Sequence, residues 1–136
     1  MANKQEFQRV APIYNDIGMT QWYWRVSHQE NFKLGKNTEI GSFTMIDARY
    51  GVTIEDDVKI GFSCSILSNS TIDDKHAAVI LKKGCKLGAN SVVMPGITIG
   101  EGAVVGSNSF VNRDIPPEEM WFGSPVRFYR KLGAKK

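Results

Sequence analysis

The feature that most constrains the fold is a six-residue period that governs the chain from Leu34 onward. It runs in three registers: Leu34, Ile40 and Ile46; Ile54, Ile60, Ile66 and Ile72; and Leu81, Leu87, Val93, Ile99, Val105 and Val111. All thirteen positions are Leu, Ile or Val, residue types that supply only 28 of the 136 residues. A unit of one short strand and one turn cannot bury its aliphatic side chain alone, so units must stack until the aliphatics form continuous columns. Three units close a triangular coil, and thirteen give a little over four coils. The predicted fold class is therefore all-β, a parallel β-helix whose flat faces are short parallel sheets. The period leaves the hand open, since crossovers between parallel strands are right-handed in about 98% of cases.

The positions around each aliphatic carry their own pattern. Gly35, Gly41, Gly61, Gly88, Gly100 and Gly106 each follow a repeat aliphatic, where a sharp turn is expected to need positive φ. Four residues after each aliphatic stands a mostly small side chain: Thr38, Thr44, Val58, Cys64, Ser70, Cys85, Ser91, Ala103 or Ser109, with Tyr50 and Ile97 as the large exceptions. The register slips twice, by two residues near Tyr50-Gly51 and by three within Asp73 to Ala78. Extra residues in a stacked coil must bulge outward, and such insertions commonly mark the binding face.

Residues 1–33 lack the period, and Phe7 to Phe32 is rich in aromatics, including Trp22, Tyr23 and Trp24. This segment is expected to be an irregular cap over the open end of the prism, which a solenoid needs for solubility. Residues 34–116 form the β-helix. Residues 117–136 form a closing segment, a short strand or helix over Phe122 to Leu132, and a basic tail ending in Lys135 and Lys136.

Composition narrows the function classes. A net charge of +3, with only a modest basic cluster from Arg127 to Lys136, does not argue for nucleic acid. No stretch approaches the ~20 apolar residues of a membrane span, and the Met1-Ala-Asn-Lys-Gln-Glu start lacks an apolar signal core; the expected location is cytoplasmic. Cys64 and Cys85 lack the spacing of a metal site or a disulfide framework and are read as two buried thiols. No metal is expected.

The stretch from Leu87-Gly88-Ala89-Asn90-Ser91 through Met94-Pro95-Gly96-Ile97-Thr98-Ile99-Gly100 to Val105-Gly106 resembles the hexapeptide-repeat acyltransferases that modify sugars. Asn112-Arg113-Asp114-Ile115-Pro116-Pro117 and Phe122-Gly123-Ser124-Pro125-Val126-Arg127-Phe128-Tyr129-Arg130 resemble the ending of bacterial sugar O- and N-acetyltransferases, with its Gly-x-Pro-x-Arg or Lys signature. The resemblance spans roughly residues 34–132. It implies a left-handed β-helix, a homotrimer with sites between neighbours, and acetyl-CoA as acyl donor to a sugar-like acceptor in polysaccharide biosynthesis. In the galactoside and maltose acetyltransferase branch it places Ala89 and Ser107 against the pantetheine arm. It puts Asn112-Arg113 where that branch has Thr-Lys, and basic groups at Arg127 and Arg130 toward the cofactor.

The same resemblance makes His76, in the second register break, the general base that takes a proton from the acceptor as it attacks the thioester. A side chain titrating near neutrality suits that role. Asn69, Asp73 and Asp74 are the acceptor-binding candidates. Each has a plainer reading beside the functional one: His76 as a solvated loop residue, Asp73-Asp74 as turn formers, Asn69 as a residue of stacked turns, and the arginines as a basic surface. His28, in the aromatic segment, is a lesser catalytic candidate. Two further function classes share the fold. A β-helix carbonic anhydrase needs three imidazoles around zinc, and the chain has only His28 and His76. A non-catalytic trimeric scaffold needs no site at all, and the short loop around His76 gives it weight.

Overall fold

In the computed structural model, which describes residues 10–133, short strands follow one another around a triangular coil. An opening strand β1 (Arg25–Ser27) precedes the first coil, made of β2 (Phe32–Leu34), β3 (Glu39–Ile40) and β4 (Met45–Asp47). The second coil is β5 (Val52–Ile54), β6 (Lys59–Ile60) and β7 (Ser65–Leu67), after which a hairpin, β8 (Asn69–Ser70) and β9 (Lys75–His76), leaves the prism. The third coil is β10 (Val79–Leu81), β11 (Lys86–Leu87) and β12 (Val92–Val93), and the fourth is β13 (Thr98–Ile99), β14 (Val104–Val105) and β15 (Phe110–Val111). β16 (Glu119–Phe122) and β17 (Arg127–Lys131) close the fold as an antiparallel pair.

Strands from successive coils pair in parallel to build three faces. Face one is β2-β5-β10-β13, face two is β3-β6-β11-β14-β16-β17, and face three is β1-β4-β7-β12-β15. The repeat aliphatics meet in register, Ile54 with Leu81 and Leu81 with Ile99 on face one, Ile60 with Leu87 and Leu87 with Val105 on face two. Strands two or three residues long cannot hold a register by themselves. It is the shared burial of these columns that does so, because a one-residue slip would turn every aliphatic outward.

Stacking extends beyond the predicted repeat at both ends. Val26 on β1 pairs with Ile46 and is fully buried. Beyond the fourth coil, Ile115 bridges to Ile99 and Trp121 pairs with Val105. In the aromatic segment, buried Trp24 meets Tyr14 and Phe32 edge-on and lies stacked with Trp22, the Trp22 and Trp24 centroids 6.5 Å apart. Phe7, Lys135 and Lys136 lie outside the described residues.

Ile72 departs from its expected place. Its side chain is 92% exposed, because the residues between β8 and β9 turn in the hairpin instead of adding a strand to a face. Ile66 and Leu81 are fifteen residues apart where most neighbouring units are six apart, so the excursion extrudes nine residues and not three. Ser70 leaves the small-residue column with it, since it pairs with Lys75 in the hairpin.

The repeat glycines also have a different cause from the one expected. None of Gly35, Gly41, Gly61, Gly88, Gly100 or Gly106 has positive φ; that conformation falls later in the turns, at Asn37, Phe43, Asp57, Ser63, Asn90 and Asn108. What excludes a side chain is the next coil. A Cβ on Gly88 would lie 2.5 Å from the Ser107 nitrogen, and one on Gly61 would lie 2.7 Å from the Ala89 nitrogen.

At the corner between faces two and three, small polar side chains link coil to coil. Thr44 Oγ1 donates to the Gly61 carbonyl (2.9 Å), Cys64 Sγ to the Gly88 carbonyl (3.2 Å), and Ser91 Oγ to the Gly106 carbonyl (3.2 Å). Buried polar groups must be paired to be tolerated, and among the described residues no buried side-chain nitrogen or oxygen lacks a partner. Cys64 and Cys85 point inward. Burial, with a smaller contribution from Glu55, pushes the Cys85 thiol up to about 12, and burial raises Cys64 as well. Because the thiolate is the reactive form, both should resist a thiol reagent at neutral pH in the native protein and react quickly once it is unfolded in urea; rapid native labelling would contradict their placement. No helix among the described residues is long and apolar enough to cross a membrane.

Candidate active site

The site residues predicted from sequence gather on two corners of the prism and at its far end. Ala89 and Ser107 share the corner between faces two and three. Each lies two residues past a paired aliphatic, Leu87 or Val105, and the Asn108 N–H donates to the Ala89 carbonyl (2.9 Å), which fixes one directly over the other. Ala89 is half-buried and Ser107 exposed. Together they form a line of small residues parallel to the prism axis, where an extended ligand can approach the backbone closely.

His76 lies on the opposite edge of face three, at the corner with face one. There β8 and β9 pair antiparallel, Asn69 opposite His76 and Ser70 opposite Lys75. The hairpin is tied to the prism by its backbone, with the Ala77 N–H donating to the Ser68 carbonyl (3.0 Å) and the Gly96 N–H to the Ala77 carbonyl (3.2 Å). Ser68 is buried, donates to the Asp47 carbonyl (2.7 Å) and accepts from the Tyr50 N–H (2.9 Å). It joins the two register breaks and so has a structural role.

That junction brings forward a residue the sequence reading passed over. The Tyr50 ring stacks on the His76 imidazole, centroids 4.9 Å apart and planes 26° apart, and the Arg49 guanidinium lies 5.9 Å from the Tyr50 centroid on its face. An exposed imidazole on a hairpin has several rotamers open to it; a ring against its face restricts them. The available signal was Tyr50 itself, an aromatic in the first register break at a position filled mostly by small side chains.

The remaining candidates divide. Asp73 and Asp74 are exposed at the hairpin tip, and Asp74 has φ 53°, the left-handed conformation that Asp tolerates in turns. Asn69 is half-buried beside His76. His28 lies on the same corner as His76, two strands further along face three after β1, exposed at the start of the one-turn 3₁₀ helix Gln29–Asn31, with Nδ1 3.4 Å from Ser27 Oγ. Asn112 and Arg113 follow β15 on the His76 corner, and the Arg113 guanidinium lies 5.3 Å from the Trp121 centroid. Trp121 meets Phe128 edge-on, and Phe128 stands next to exposed Arg127 on β17, with Arg130 further along the same strand. Arg113, Arg127 and Arg130 thus belong to one aromatic-backed basic end of the prism. A cleft of about 650 Å³ lined by Tyr14, Trp22, Trp24, Phe32, Leu34 and Ile40, among others, lies at the opposite end, against the aromatic segment, and contains none of the predicted site residues.

The family model for the bacterial transferase hexapeptide (six repeats) matches residues 78–113. YvoF of Bacillus subtilis is 29% identical over 115 residues, which are 82% of this chain and 66% of that protein. The galactoside O-acetyltransferase of Lactococcus lactis is 30% identical over an alignment of 146 positions that takes in 95% of this chain and 69% of that enzyme.

The chain belongs to the hexapeptide-repeat, left-handed β-helix acyltransferase family.

Among solved structures of hexapeptide-repeat acyltransferases, that of VCA0836 from Vibrio cholerae, complexed with acetyl-CoA, is 26% identical, with a TM-score of 0.74 over 82% of this chain and 66% of that one. The chain spans about two thirds of the length of these relatives. In one copy the small-residue line and the histidine hairpin stand on opposite edges of face three.

Proposed function

We propose that this protein transfers an acetyl group from acetyl-CoA to a hydroxyl or amine of a sugar or nucleotide-linked sugar, with His76 as general base. The observation that carries this reading is the alignment of Ala89 over Ser107 on a corner that runs toward the basic end formed by Arg113, Arg127 and Arg130. A pantetheine arm is long, narrow and rich in amides. A line of small residues parallel to the axis accommodates such a shape, and guanidinium groups at its end suit the phosphates through charge-assisted, often bidentate hydrogen bonds.

The chemistry needs one base. The acceptor oxygen or nitrogen attacks the thioester carbonyl carbon while His76 takes its proton; the C–S bond then breaks, and the proton passes to the departing sulfur to give free CoA. Tyr50 holds the imidazole in place, and Asn69 is positioned beside it for an acceptor hydroxyl. Asp73 and Asp74 act as turn residues in this reading, since both are exposed at the tip and Asp74 occupies a turn conformation.

The same geometry supports a threefold assembly. Two copies side by side bring the hairpin corner of one against the small-residue corner of the next, which completes a site that a single copy leaves divided across face three. Closed cyclic symmetry satisfies every such edge at once. Sedimentation should give a trimer at micromolar concentration, and a stable monomer would contradict the shared site.

Titration calorimetry tests the donor side. Wild-type protein should bind acetyl-CoA, and Arg113→Ala or Arg127→Ala should each weaken binding by about 1.5–3 kcal/mol, the range for hydrogen bonds to charged groups. The difference should shrink as salt rises, because part of it is screened attraction. Variants indistinguishable from wild type would remove these arginines from the cofactor site, and no binding at millimolar acetyl-CoA would favour a scaffold.

A further inference from the structure

The column that holds Ala89 and Ser107 continues into the second coil, and there its character changes. Ile60 pairs with Leu87 as Leu87 pairs with Val105, so the residue two places past Ile60 shares the column: Phe62. The backbone repeats the same link, the Asn90 N–H donating to the Phe62 carbonyl (2.9 Å) as the Asn108 N–H donates to the Ala89 carbonyl (2.9 Å). One coil lower the column returns to a small residue, Ser42, whose carbonyl accepts from the Ser63 N–H (3.0 Å). The order from the basic end is therefore Ser107, Ala89, Phe62, Ser42.

Phe62 is 63% exposed, so its ring stands out from the corner instead of contributing to the core. In the proposed donor orientation, phosphates at the arginine end place the arm over Ser107 and then Ala89. The thioester then lies near the level where the His76 hairpin emerges, between the second and third coils. Neighbouring coils are separated by about 4.8 Å, the spacing of paired strands, so Phe62 stands one such step past Ala89 in the path of any acyl chain longer than acetyl.

From this register we infer that Phe62 limits the length of the acyl group the protein accepts. The inference rests on the proposed donor site and adds a determinant of donor specificity to it. Removing the ring would extend the small-residue line by one coil, onto Ser42 and alongside Phe43, which is 65% exposed and stacked with Tyr23 at 6.4 Å. That extension offers an apolar wall to a longer chain.

Calorimetry with CoA, acetyl-CoA and hexanoyl-CoA, on wild type and on Phe62→Ala and Phe62→Ser, tests this without knowledge of the acceptor. Wild type should bind hexanoyl-CoA about 10- to 100-fold more weakly than acetyl-CoA, the fold-change that an overpacked site produces. Both variants should remove most of that ratio while leaving CoA affinity unchanged. Because the ring is largely exposed, either variant should fold, and Ser already occupies the column one coil lower. If all three ligands bind and neither variant moves the ratio, or if wild type does not discriminate, the role of Phe62 is overturned and the donor site stands. If wild type binds none of the three, the donor site falls and this inference with it.

Discussion

His76→Ala should lower kcat by roughly 10²- to 10⁴-fold, the usual worth of positioned proton transfer, while acetyl-CoA affinity stays close to wild type. The separation follows from placement. His76 stands on the hairpin corner, whereas the small-residue line and the basic end proposed for the donor are built from other coils, so removing the imidazole leaves donor contacts intact. A hydroxyl acceptor, which keeps its proton at neutral pH, needs the base most, and an amine that arrives deprotonated needs it less. A kcat near wild type with a hydroxyl acceptor would take His76 out of the mechanism. Tyr50→Ala offers a control from the neighbouring register break: it removes the ring stacked on the imidazole but no proton acceptor, so its loss in kcat should be smaller than that of His76→Ala.

Leu81→Ala should destabilise the protein by about 2–5 kcal/mol, the range for truncating a buried leucine and leaving a cavity. Leu81 is fully buried at the middle of the face-one column, between Ile54 and Ile99. Neighbouring coils are held by those columns, so little can collapse into the space. Ile72→Ala is the matched comparison, an aliphatic that the six-residue period assigns to the same class. Its side chain is 92% exposed on the hairpin, and its loss should cost within about 0.5 kcal/mol, as for surface positions generally. Urea unfolding should show a lower midpoint at unchanged slope for Leu81→Ala and almost no change for Ile72→Ala. Equal effects would mean that the hairpin packs as a coil.

The contrast between these two residues shows what periodicity can and cannot reveal. Twelve of the thirteen aliphatics lie on the stacked faces, because the burial that selects them is the interaction that orders the coils. Ile72 fits the pattern by spacing alone; whether a turn adds to a face or folds back into a hairpin depends on pairing with Asn69 and Ser70, which no period records. Gly88 was legible as a required glycine but not for its reason, since the obstacle is the Ser107 backbone one coil away.

The candidate site was legible in the same uneven way. Ala89 and Ser107 fall eighteen residues apart, three units and so one coil, and their stacking follows directly from the repeat. Tyr50 against His76 could not be read the same way. The contact joins two separate insertions, and an extruded residue has no register to predict its neighbour. Arg113 over Trp121 likewise depends on how the closing strands return along face two.

The most direct test of the whole account is acetyl transfer itself. Protein incubated with acetyl-CoA and a panel of galactosides and nucleotide-linked sugars and amino sugars should add one acetyl group to at least one acceptor, seen by mass spectrometry together with stoichiometric release of free CoA. His76→Ala should lose most of that product. An acceptor panel left unmodified, with no CoA released above the uncatalysed rate, would contradict the assignment and leave a β-helix that serves as a scaffold.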